Sequence, residues 1–342
     1  MRIDVKTLPV HEIIQDISEN LNVPIVYGDA ELTIQIPAEI GEGYIKGSSF
    51  DSGIGLMSFN GKFYQDVEIC FTLNTVHPLK FIFCSEGEVS HSFQGTREQH
   101  KIEAYQNIIV SSSGYEGHVL YFKANVRTHV SSLEIIRSKF AHRTNYNFKD
   151  LDPTLQELFK DAVSKNKFFY QGNYSIKAAD LMEELNTKDF TGFLRSLYLE
   201  AKSYDMLVIQ IAQYQDDEAV DRLPTILRKS DILKVDYVAR RIIGDLASNL
   251  TVESLAKEAG TNVNKLQEGF KHVYDLTVNK FIQHKKLEAA KEMLLTTDKN
   301  ISEIVTAIGL NNRSYFSKIF KEKYGVNPKY FLKSKKSEAK ME

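Results

Sequence analysis

Two short stretches near the carboxyl end of the 342-residue chain carry side chains suited to hydrogen bonding with the edges of DNA bases. Asparagine and glutamine can bond adenine, arginine and lysine can bond guanine, and glutamate can accept a hydrogen bond from cytosine. Lysines slightly further along are better placed for phosphates, which hold a protein in register on DNA. The predicted DNA-binding residues are Asn264, Lys265, Gln267, Glu268 and Lys271 in the first stretch, and Arg313, Ser314, Ser317, Lys318 and Lys321 in the second. Further candidates for phosphate contacts are Arg240, Arg241, Lys285 and Lys286.

Both stretches lie in an internal repeat. Residues 251–260 align with residues 300–309, an offset of 49, and one additional residue in the second copy makes the offset 50 from there on. In the second copy, Asn300 with Glu303 three residues later predicts a capped helix start, and Gly309 predicts the helix end. Each copy is therefore predicted to fold as a helix, a tight turn and a second helix.

The second helix of each copy has one apolar and one polar face. Leu266 and Phe270 in the first copy, and Phe316 and Phe320 in the second, recur at helical spacing and should face inward. A helix-turn-helix needs this division, because its first helix braces the second while the second lies in the major groove. Residues 277–295 predict a long helix between the copies, so one chain could bind two adjacent major grooves of double-stranded DNA.

Charge is distributed unevenly along the chain. The formal net charge of −2 is the sum of −10 for residues 1–226, with 21 Lys+Arg against 31 Asp+Glu, and +8 for residues 227–342, with 22 against 14. A near-neutral total would disfavour a nucleic-acid partner, but the positive part coincides with the repeat. An acidic body is therefore predicted to carry a basic, DNA-binding tail.

Composition favours a cytoplasmic protein. The two cysteines, Cys70 and Cys84, are too few for a disulfide framework, which indicates a reducing compartment. The first residues are charged where a signal peptide needs an apolar stretch, and no apolar run approaches the roughly 18 residues of a membrane span. We therefore expect no membrane association.

Residues 41–130 have the pattern of a series of short strands. Val67, Ile69 and Phe71 alternate with other residues as in a strand with one buried face, and Asn60-Gly61 is a strong hairpin signal. We expect an α+β chain whose N-terminal part, residues 1–150, is a cupin-like β-sandwich or barrel that senses a ligand. Residues 227–342 should form an all-α domain with two helix-turn-helix units.

Residues 151–226 predict a helical dimerisation or linker region between these domains. Apolar side chains recur there at alternating steps of four and three, which places them on one stripe of a helix. Packing against the strand domain and the seam of a homodimer are both open interpretations of this stripe. A polar loop is expected from Gln213 to Asp221. The stripe comprises Phe190, Leu194, Leu197, Ala201, Tyr204, Val208 and Ile211.

Aromatic side chains of the strand domain could line an apolar pocket for a small-molecule effector, although at strand spacing they are often ordinary core. The histidines of this domain lack the close spacing typical of metal ligands, so no metal or other cofactor is predicted. No nucleophile motif is present either, so we predict no catalytic residues and no enzyme. The candidate ligand-binding residues are Phe81, Phe83, Tyr105, Tyr121 and Phe122.

The second copy of the repeat resembles a known family. Residues 301–328, ISEIVTAIGLNNRSYFSKIFKEKYGVNP, are similar to the signature of AraC/XylS-type transcription regulators, and the resemblance extends over about residues 232–333. It implies a pair of helix-turn-helix units that read bases from the second helix of each unit. Residues 79–83 and 264–270 also resemble the PchR-like branch, in which some members sense siderophores, and this favours a small-molecule sensor.

Three functions remain open at this level. The first is a sequence-specific DNA-binding transcription regulator, controlled by a small molecule or another signal at its N-terminal domain, as a homodimer and with RNA polymerase as a further contact. The second is a cupin-type metal-dependent enzyme with an accessory nucleic-acid-binding tail. The third is an interaction protein without specific DNA sites, whose binding would follow phosphate charge alone.

Overall fold

A computed structural model describes residues 1–73, 76–113, 116–143, 147–188, 190–218, 229–248 and 250–330. The chain divides into two compact units, Met1–Pro224 and Thr225–Glu342. The first unit is built mainly of strands and the second of helices, so the predicted α+β organisation is confirmed. Within the described ranges no helix has the length and apolar composition that a membrane crossing requires. The end of the family resemblance, residues 331–333, lies outside the described residues.

The described strands of the first unit form two sheets. The smaller has the order β1-β6-β11-β8-β9 and the larger the order β13-β10-β7-β12-β5-β4-β3-β2. Only β1 with β6 is a parallel pair among the described strands. The strands are β1 (Arg2–Val5), β2 (Ile25–Tyr27), β3 (Leu32–Gln35), β4 (Gly41–Ser49), β5 (Ile54–Phe63), β6 (Val67–Phe71), β7 (Leu79–Glu86), β8 (Glu88–Phe93), β9 (His100–Glu103), β10 (Gln106–Ser111), β11 (His118–Phe122), β12 (Thr128–Ile135) and β13 (Phe168–Tyr174).

Helices cover parts of the first unit and make up the described part of the second. In the first unit they are α1 (Val10–Leu21), α2 (Arg137–Arg143), α3 (Pro153–Lys160), α4 (Ile176–Thr187) and α5 (Gly192–Glu218). In the second they are α6 (Lys229–Gly244), α7 (Val252–Glu258), α8 (Val263–Tyr274), α9 (Val278–Thr296), α10 (Ile301–Ala307) and α11 (Arg313–Tyr324).

Strand alternation gives the first unit two apolar cores on opposite faces of the larger sheet. Ile82 and Cys84 of β7 lie in a core shared with the smaller sheet and α1. Their neighbours Phe81 and Phe83 lie in a second core, packed against α3, α4 and α5. Successive side chains of a strand point to opposite faces, and here both faces are covered. This explains why β7 is apolar along most of its length.

The predicted hairpin at Asn60-Gly61 is wrong. Both residues lie within β5, where Asn60 pairs with Tyr44 of β4 and Gly61 with Gly43. A Cβ atom at Gly61 would lie 2.3 Å from the Glu42 carbonyl oxygen, so glycine is needed for close approach of the strands, not for a turn. The turn between β4 and β5 instead contains Gly53, whose φ is +85°.

The predicted polar loop from Gln213 to Asp221 is also wrong over the part that the structure describes, because α5 continues to Glu218. Asp217 holds this end of the helix to β13, accepting hydrogen bonds from the Tyr170 hydroxyl and from Asn173 Nδ2, the latter at 3.0 Å. Residues 219–221 lie outside the described residues. The charged residues at the end of α5 are therefore helical because Asp217 is held to β13, a contact that the sequence near Asp217 does not indicate.

Candidate nucleic-acid interface

The first helix-turn-helix unit consists of α7, a turn and α8. Thr251 caps α7 reciprocally with Ser254, each side chain accepting a hydrogen bond from the other residue's backbone N–H, at 3.1 and 3.2 Å. The turn contains Gly260 with φ +60°. Asn262 then caps α8 by accepting a hydrogen bond from the Lys265 N–H at 2.8 Å. These local contacts satisfy backbone donors that a helix start leaves open.

The second helix-turn-helix unit has the same arrangement, with α10 as its first helix and α11 as its second. Asn300 and Glu303 form the predicted capping box, with the Asn300 N–H donating to Glu303 Oε2 at 2.7 Å and the Glu303 N–H donating to Asn300 Oδ1 at 3.1 Å. Gly309 has φ +66° and ends the first helix as predicted. Asn312 caps α11 through the Tyr315 N–H at 2.9 Å.

The second helix of each helix-turn-helix unit, α8 or α11, has the predicted division into a buried and an exposed face. Leu266 and Phe270 of α8, and Phe316 and Phe320 of α11, are buried. Most of the predicted DNA-binding residues are exposed on the two helices, so the folded chain presents polar and cationic side chains twice. The exposed ones are Asn264, Lys265, Glu268 and Lys271 on α8, and Arg313, Ser314, Lys318 and Lys321 on α11.

The remaining two predicted readers, Gln267 and Ser317, are half-buried. They occupy equivalent positions of the repeat, at the border between the buried and exposed faces. Gln267 Oε1 accepts a hydrogen bond from the Val278 N–H at 3.1 Å, which ties α8 to the first residue of α9. This contact gives Gln267 a structural task within the protein.

Tyr315 was not among the predicted residues, but it is exposed on the face of α11 that carries the predicted DNA-binding side chains. Its side chain is 47% exposed, and it occupies the position that Lys265 holds in the first copy, at the repeat offset of 50. Gln283 Nε2 of α9 donates a hydrogen bond to the Tyr315 hydroxyl at 3.1 Å. Transferring Lys265 through the repeat alignment would have identified Tyr315 from the sequence.

The helix α9 lies between the two helix-turn-helix units and forms hydrogen bonds with the second of them, which consists of α10 and α11. Lys286, only 8% exposed, donates from Nζ to the Gly309 carbonyl oxygen at 3.2 Å, and burial lowers the pKa of its ammonium group. Lys323 of α11 donates to the His284 carbonyl oxygen at 3.2 Å and pairs with Glu288 at 3.0 Å. The expectation that Lys286 contacts phosphate therefore conflicts with its place in the fold.

The other candidate phosphate contacts differ in their surroundings. Arg241 Nε lies 3.2 Å from Glu258 Oε1, and Arg240 Nε lies 3.1 Å from Asp236 Oδ2. Lys285 pairs with Glu288 at 3.1 Å. Each of these three cations would have to exchange an internal partner for a phosphate.

The five candidate ligand-binding residues of the first unit are not brought together around one cavity. Phe81 and Phe83 are buried in the core beside α3, α4 and α5, against which Tyr105 also packs. Phe122 lies in the core between the sheets, with its ring centroid 4.4 Å from that of Phe59. Tyr121 is half-buried, and its hydroxyl lies 3.0 Å from Ser92 Oγ.

Buried histidines form part of the interior of the first unit. The His91 ring centroid lies 5.4 Å from that of Phe169 and 5.5 Å from that of His118. Desolvation is the main cause that lowers the pKa of His91 to about 3 and the pKa of His129 to about 4. In the described part of the chain, no three His, Cys, Asp or Glu side chains are placed to share a metal ion.

The chain thus combines a β-rich first unit with two helix-turn-helix units in the second. Residues 42–225 match the family model described as the regulatory protein PchR N-terminal domain, and residues 255–334 match a helix-turn-helix domain model. The first match covers more than half of the chain, and the chain therefore belongs to this family of regulatory proteins, with a DNA-binding domain of AraC type. Both resemblances found in the sequence are confirmed.

Among characterised relatives, the chain is 32% identical over 115 residues to the bifunctional transcriptional activator and DNA repair enzyme AdaA of Bacillus subtilis. That alignment covers 34% of this chain and 54% of AdaA. The chain is 33% identical over 111 residues to the transcriptional activator PerA of Escherichia coli, covering 32% of this chain and 40% of PerA. The chain thus matches about half of the length of these relatives.

Two solved structures are among those that the comparison matched to parts of this chain. Wild-type ToxT from Vibrio cholerae, with an unsaturated fatty acid bound, is 15% identical to this chain and has a TM-score of 0.31. That alignment covers 82% of this chain and 94% of ToxT. The DNA-binding domain of AdpA, in complex with a target DNA, is 16% identical to this chain and has a TM-score of 0.30. That alignment covers 31% of this chain and 95% of the AdpA domain.

Proposed function

We propose that the protein is a sequence-specific DNA-binding transcription regulator whose N-terminal unit receives a small-molecule signal. The observation that carries this proposal is the duplication of an exposed polar and cationic face, on α8 and again on α11. A single helix-turn-helix would bind one stretch of major groove. Two such units joined by α9 would bind two adjacent major grooves of the same duplex, with α8 and α11 as the reading helices.

The charge of the chain supports the same proposal. Residues 227–342 carry a net charge of +8, which would attract the DNA backbone and release counterions on binding. Electrostatic attraction alone does not select a sequence, so selection would have to come from side chains at base edges. We assign base reading to the exposed residues Asn264, Lys265, Arg313 and Ser314, and backbone contacts to Lys271 and Lys321.

Selection of preferred sites from random duplex DNA, followed by affinity measurement with the full chain at fixed salt, tests this function. Replacing Arg313 with alanine should weaken binding to the preferred site by about 1–3 kcal/mol and should affect random DNA much less. Replacing Lys321 with alanine serves as the matched control, because loss of a phosphate contact weakens all sequences alike. Equal losses on both DNAs for the Arg313 variant would remove its assignment, and an unmodified chain without any sequence preference would refute the function.

A homodimer through α5 is a second part of the proposal. The face of α5 that carries Leu199, Met206 and Leu207 is buried in the core of the unit. Much of the predicted apolar stripe lies on the other side, where Leu194, Leu197 and Val208 are exposed and the adjacent Phe193 is 77% exposed. The heptad spacing of this stripe suits pairing with the same stripe of a second chain.

Sedimentation of the full chain tests the dimer. Leu197→Glu places a charge in the stripe and should shift the protein toward monomer. Ala141→Glu, at an exposed position of α2, adds the same charge elsewhere and should leave the association state unchanged. A monomeric unmodified chain at tens of micromolar, or a dimer that survives Leu197→Glu, would contradict the proposal. A contact with RNA polymerase and a cytoplasmic location stay predictions.

A further inference from the structure

Two consecutive side-chain hydrogen bonds connect the start of α9 to the exposed face of α11. Lys280 Nζ donates to Gln283 Oε1 at 3.1 Å, and Gln283 Nε2 donates to the Tyr315 hydroxyl at 3.1 Å. Lys280 and Gln283 lie about one turn apart on α9, whereas Tyr315 is 32 residues beyond Gln283 in the chain. These bonds therefore join the helix between the two helix-turn-helix units to the second helix of the second unit.

The lysine at one end fixes the direction of these hydrogen bonds. An ammonium group has donors and no acceptor, so Lys280 can bond the Gln283 side chain only through the amide oxygen. The amide nitrogen of Gln283 then faces Tyr315 and donates to the hydroxyl oxygen. A phenol has one hydrogen of its own to donate, and the Gln283 N–H cannot accept it. The Tyr315 hydroxyl is therefore oriented as a donor toward another group.

The Tyr315 hydroxyl is accessible to an acceptor from outside the protein. The residue is 47% exposed, and none of the residues that the structure describes accepts a hydrogen bond from its O–H. A donor that is already oriented loses less conformational freedom when it binds an acceptor than one that must first be immobilised. The two hydrogen bonds from α9 therefore prepare the Tyr315 hydroxyl for an external acceptor.

Tyr315 lies in the part of α11 that is best placed to meet DNA bases. The helix begins at Arg313, so Tyr315 is its third residue. The N-terminal residues of a recognition helix are those that contact base edges in the major groove. Arg313 and Ser314, to which we assign base reading, directly precede Tyr315 in the chain. Lys265, also assigned to base reading, holds the equivalent position in the first helix-turn-helix unit.

The hydrogen-bonding groups of the major groove determine which bases suit an oriented donor. Guanine presents the acceptors N7 and O6, and thymine presents the acceptor O4. Cytosine presents only the N4 donor, and adenine presents both an N7 acceptor and an N6 donor. An O–H group that can only donate therefore suits guanine and thymine best and opposes cytosine.

We propose that Tyr315 contacts a base as a hydrogen-bond donor, and that Lys280 and Gln283 are positioning residues that hold its hydroxyl in this role. The DNA position opposite Tyr315 is then guanine or thymine, and cytosine is disfavoured there. This inference rests on the proposed function, because it adds a specificity-determining residue to the DNA interface.

Selection of preferred sites from random duplex DNA, with the full chain and with Tyr315→Phe, identifies the position that Tyr315 contacts. The variant should lower the preference for guanine or thymine over cytosine about fivefold at one position, because it removes one hydrogen bond. A loss of affinity that is equal on every sequence would indicate a phosphate contact and would overturn the proposal. Selection of cytosine at that position by the unmodified chain would overturn it too.

Gln283→Glu tests the direction of the hydrogen bonds. A carboxylate accepts but cannot donate, so the new side chain should keep its contact with Lys280 and accept the Tyr315 O–H. The hydroxyl oxygen would then face DNA as an acceptor, and the base selected at that position should change to cytosine or adenine, which present donors. An unchanged base at the position opposite Tyr315 would overturn the proposal.

Asn279→Asp is the matched control for the added charge. Asn279 is exposed on α9, about one turn before Gln283, and the replacement adds the same negative charge there. It should weaken binding to all sequences, because negative charge opposes the DNA backbone, and should leave the selected base unchanged. The same change of base in Asn279→Asp as in Gln283→Glu would show that charge alone is the cause, which would overturn the assignment of Gln283.

The double variant shows whether Gln283 acts through the Tyr315 hydroxyl. In the Tyr315→Phe background, Gln283→Glu should no longer change the selected base. A change that persists there would assign base contact to the side chain at position 283 itself and overturn the positioning role. All variants should keep the base preferences of the unmodified chain at the positions that α8 contacts. If those preferences persist but the base opposite Tyr315 never changes, only this inference fails, whereas an unmodified chain that selects no sequence refutes the proposed function.

Discussion

Replacing Gly309 with alanine should destabilise the second helix-turn-helix unit more than replacing Gly260 with alanine destabilises the first. The two glycines are equivalent in the repeat and share a left-handed backbone, with φ +66° and +60°. Their surroundings differ. A Cβ atom at Gly309 would lie 2.2 Å from the carbonyl oxygen of Ala247, whereas no heavy atom lies within 4 Å of a Cβ at Gly260.

The magnitudes follow from these two environments. A left-handed alanine costs about 1–2 kcal/mol at either position, partly offset because alanine restricts the unfolded chain by about 0.4–1 kcal/mol. At Gly309 the backbone of Ala247 must also move, which is comparable to overpacking and costs a further 1–3 kcal/mol or so. Movement of Gly309 would in addition disturb its hydrogen bond from Lys286. We therefore expect the two variants to differ by about 1–3 kcal/mol.

Native-state hydrogen exchange of the full chain, read by mass spectrometry, measures the opening of each unit separately. Gly309→Ala should speed exchange in α10 and α11 by roughly ten- to a hundredfold relative to the effect of Gly260→Ala in α7 and α8, since about 1.4 kcal/mol corresponds to a factor of ten. Equal acceleration in the two units would show that the contact with Ala247 does not determine the cost, and would refute the reasoning.

Three further predictions concern the proposed DNA interface and the interior of the first unit. Gln267→Ala should lower the free energy of unfolding by about 1 kcal/mol, because the Val278 N–H loses its acceptor. The same variant should select the same DNA sequence as the unmodified chain. A different selected sequence would show that Gln267 contacts a base. Tyr315→Phe should weaken discrimination between bases, at one position of the DNA segment bound by α11, by about 1 kcal/mol in the same selection assay. An unaltered base preference would show that the Tyr315 hydroxyl contacts only Gln283. Burial lowers the pKa of His77 and His129 to about 4 from the ordinary 6.5, so the unfolded chain takes up protons first as the pH falls. Stability should therefore be fully present above pH 6.5 and fall by about 1.4 kcal/mol per pH unit per histidine between pH 6.5 and 4, and a urea midpoint that is constant between pH 7 and 5 would contradict this.

The DNA-binding part was the most predictable from the sequence, because its signals are local. Capping residues such as Asn300 with Glu303, and the turn glycine Gly309, act within a few residues of their own position, and the repeat supplies each signal twice. The border residue Gln267 escaped this reasoning. Its acceptor role depends on where α9 begins relative to α8, which is a property of packing.

The first unit was less predictable because its decisive contacts join distant segments. Asn60-Gly61 favours a turn locally, but pairing of β5 with β4 and β12 outweighs that preference. Glu134 lies between Leu133 and Ile135 in an apolar strand, and nothing local indicates its partner. The antiparallel register of β12 with β7 places Lys80 opposite Glu134.

Anchoring of α5 by Asp217 has a practical consequence for building hybrid regulators. Asp217 contacts Tyr170 and Asn173, and Gln213 Nε2 donates a hydrogen bond to the Asn173 carbonyl oxygen at 2.6 Å. All of these contacts lie within the first unit. A foreign DNA-binding domain joined after Glu218 would keep every one of them, whereas a junction placed before Gln213 would remove the acceptor that holds β13. A junction after Glu218 therefore keeps the contacts that hold α5 to β13 when the second unit is exchanged.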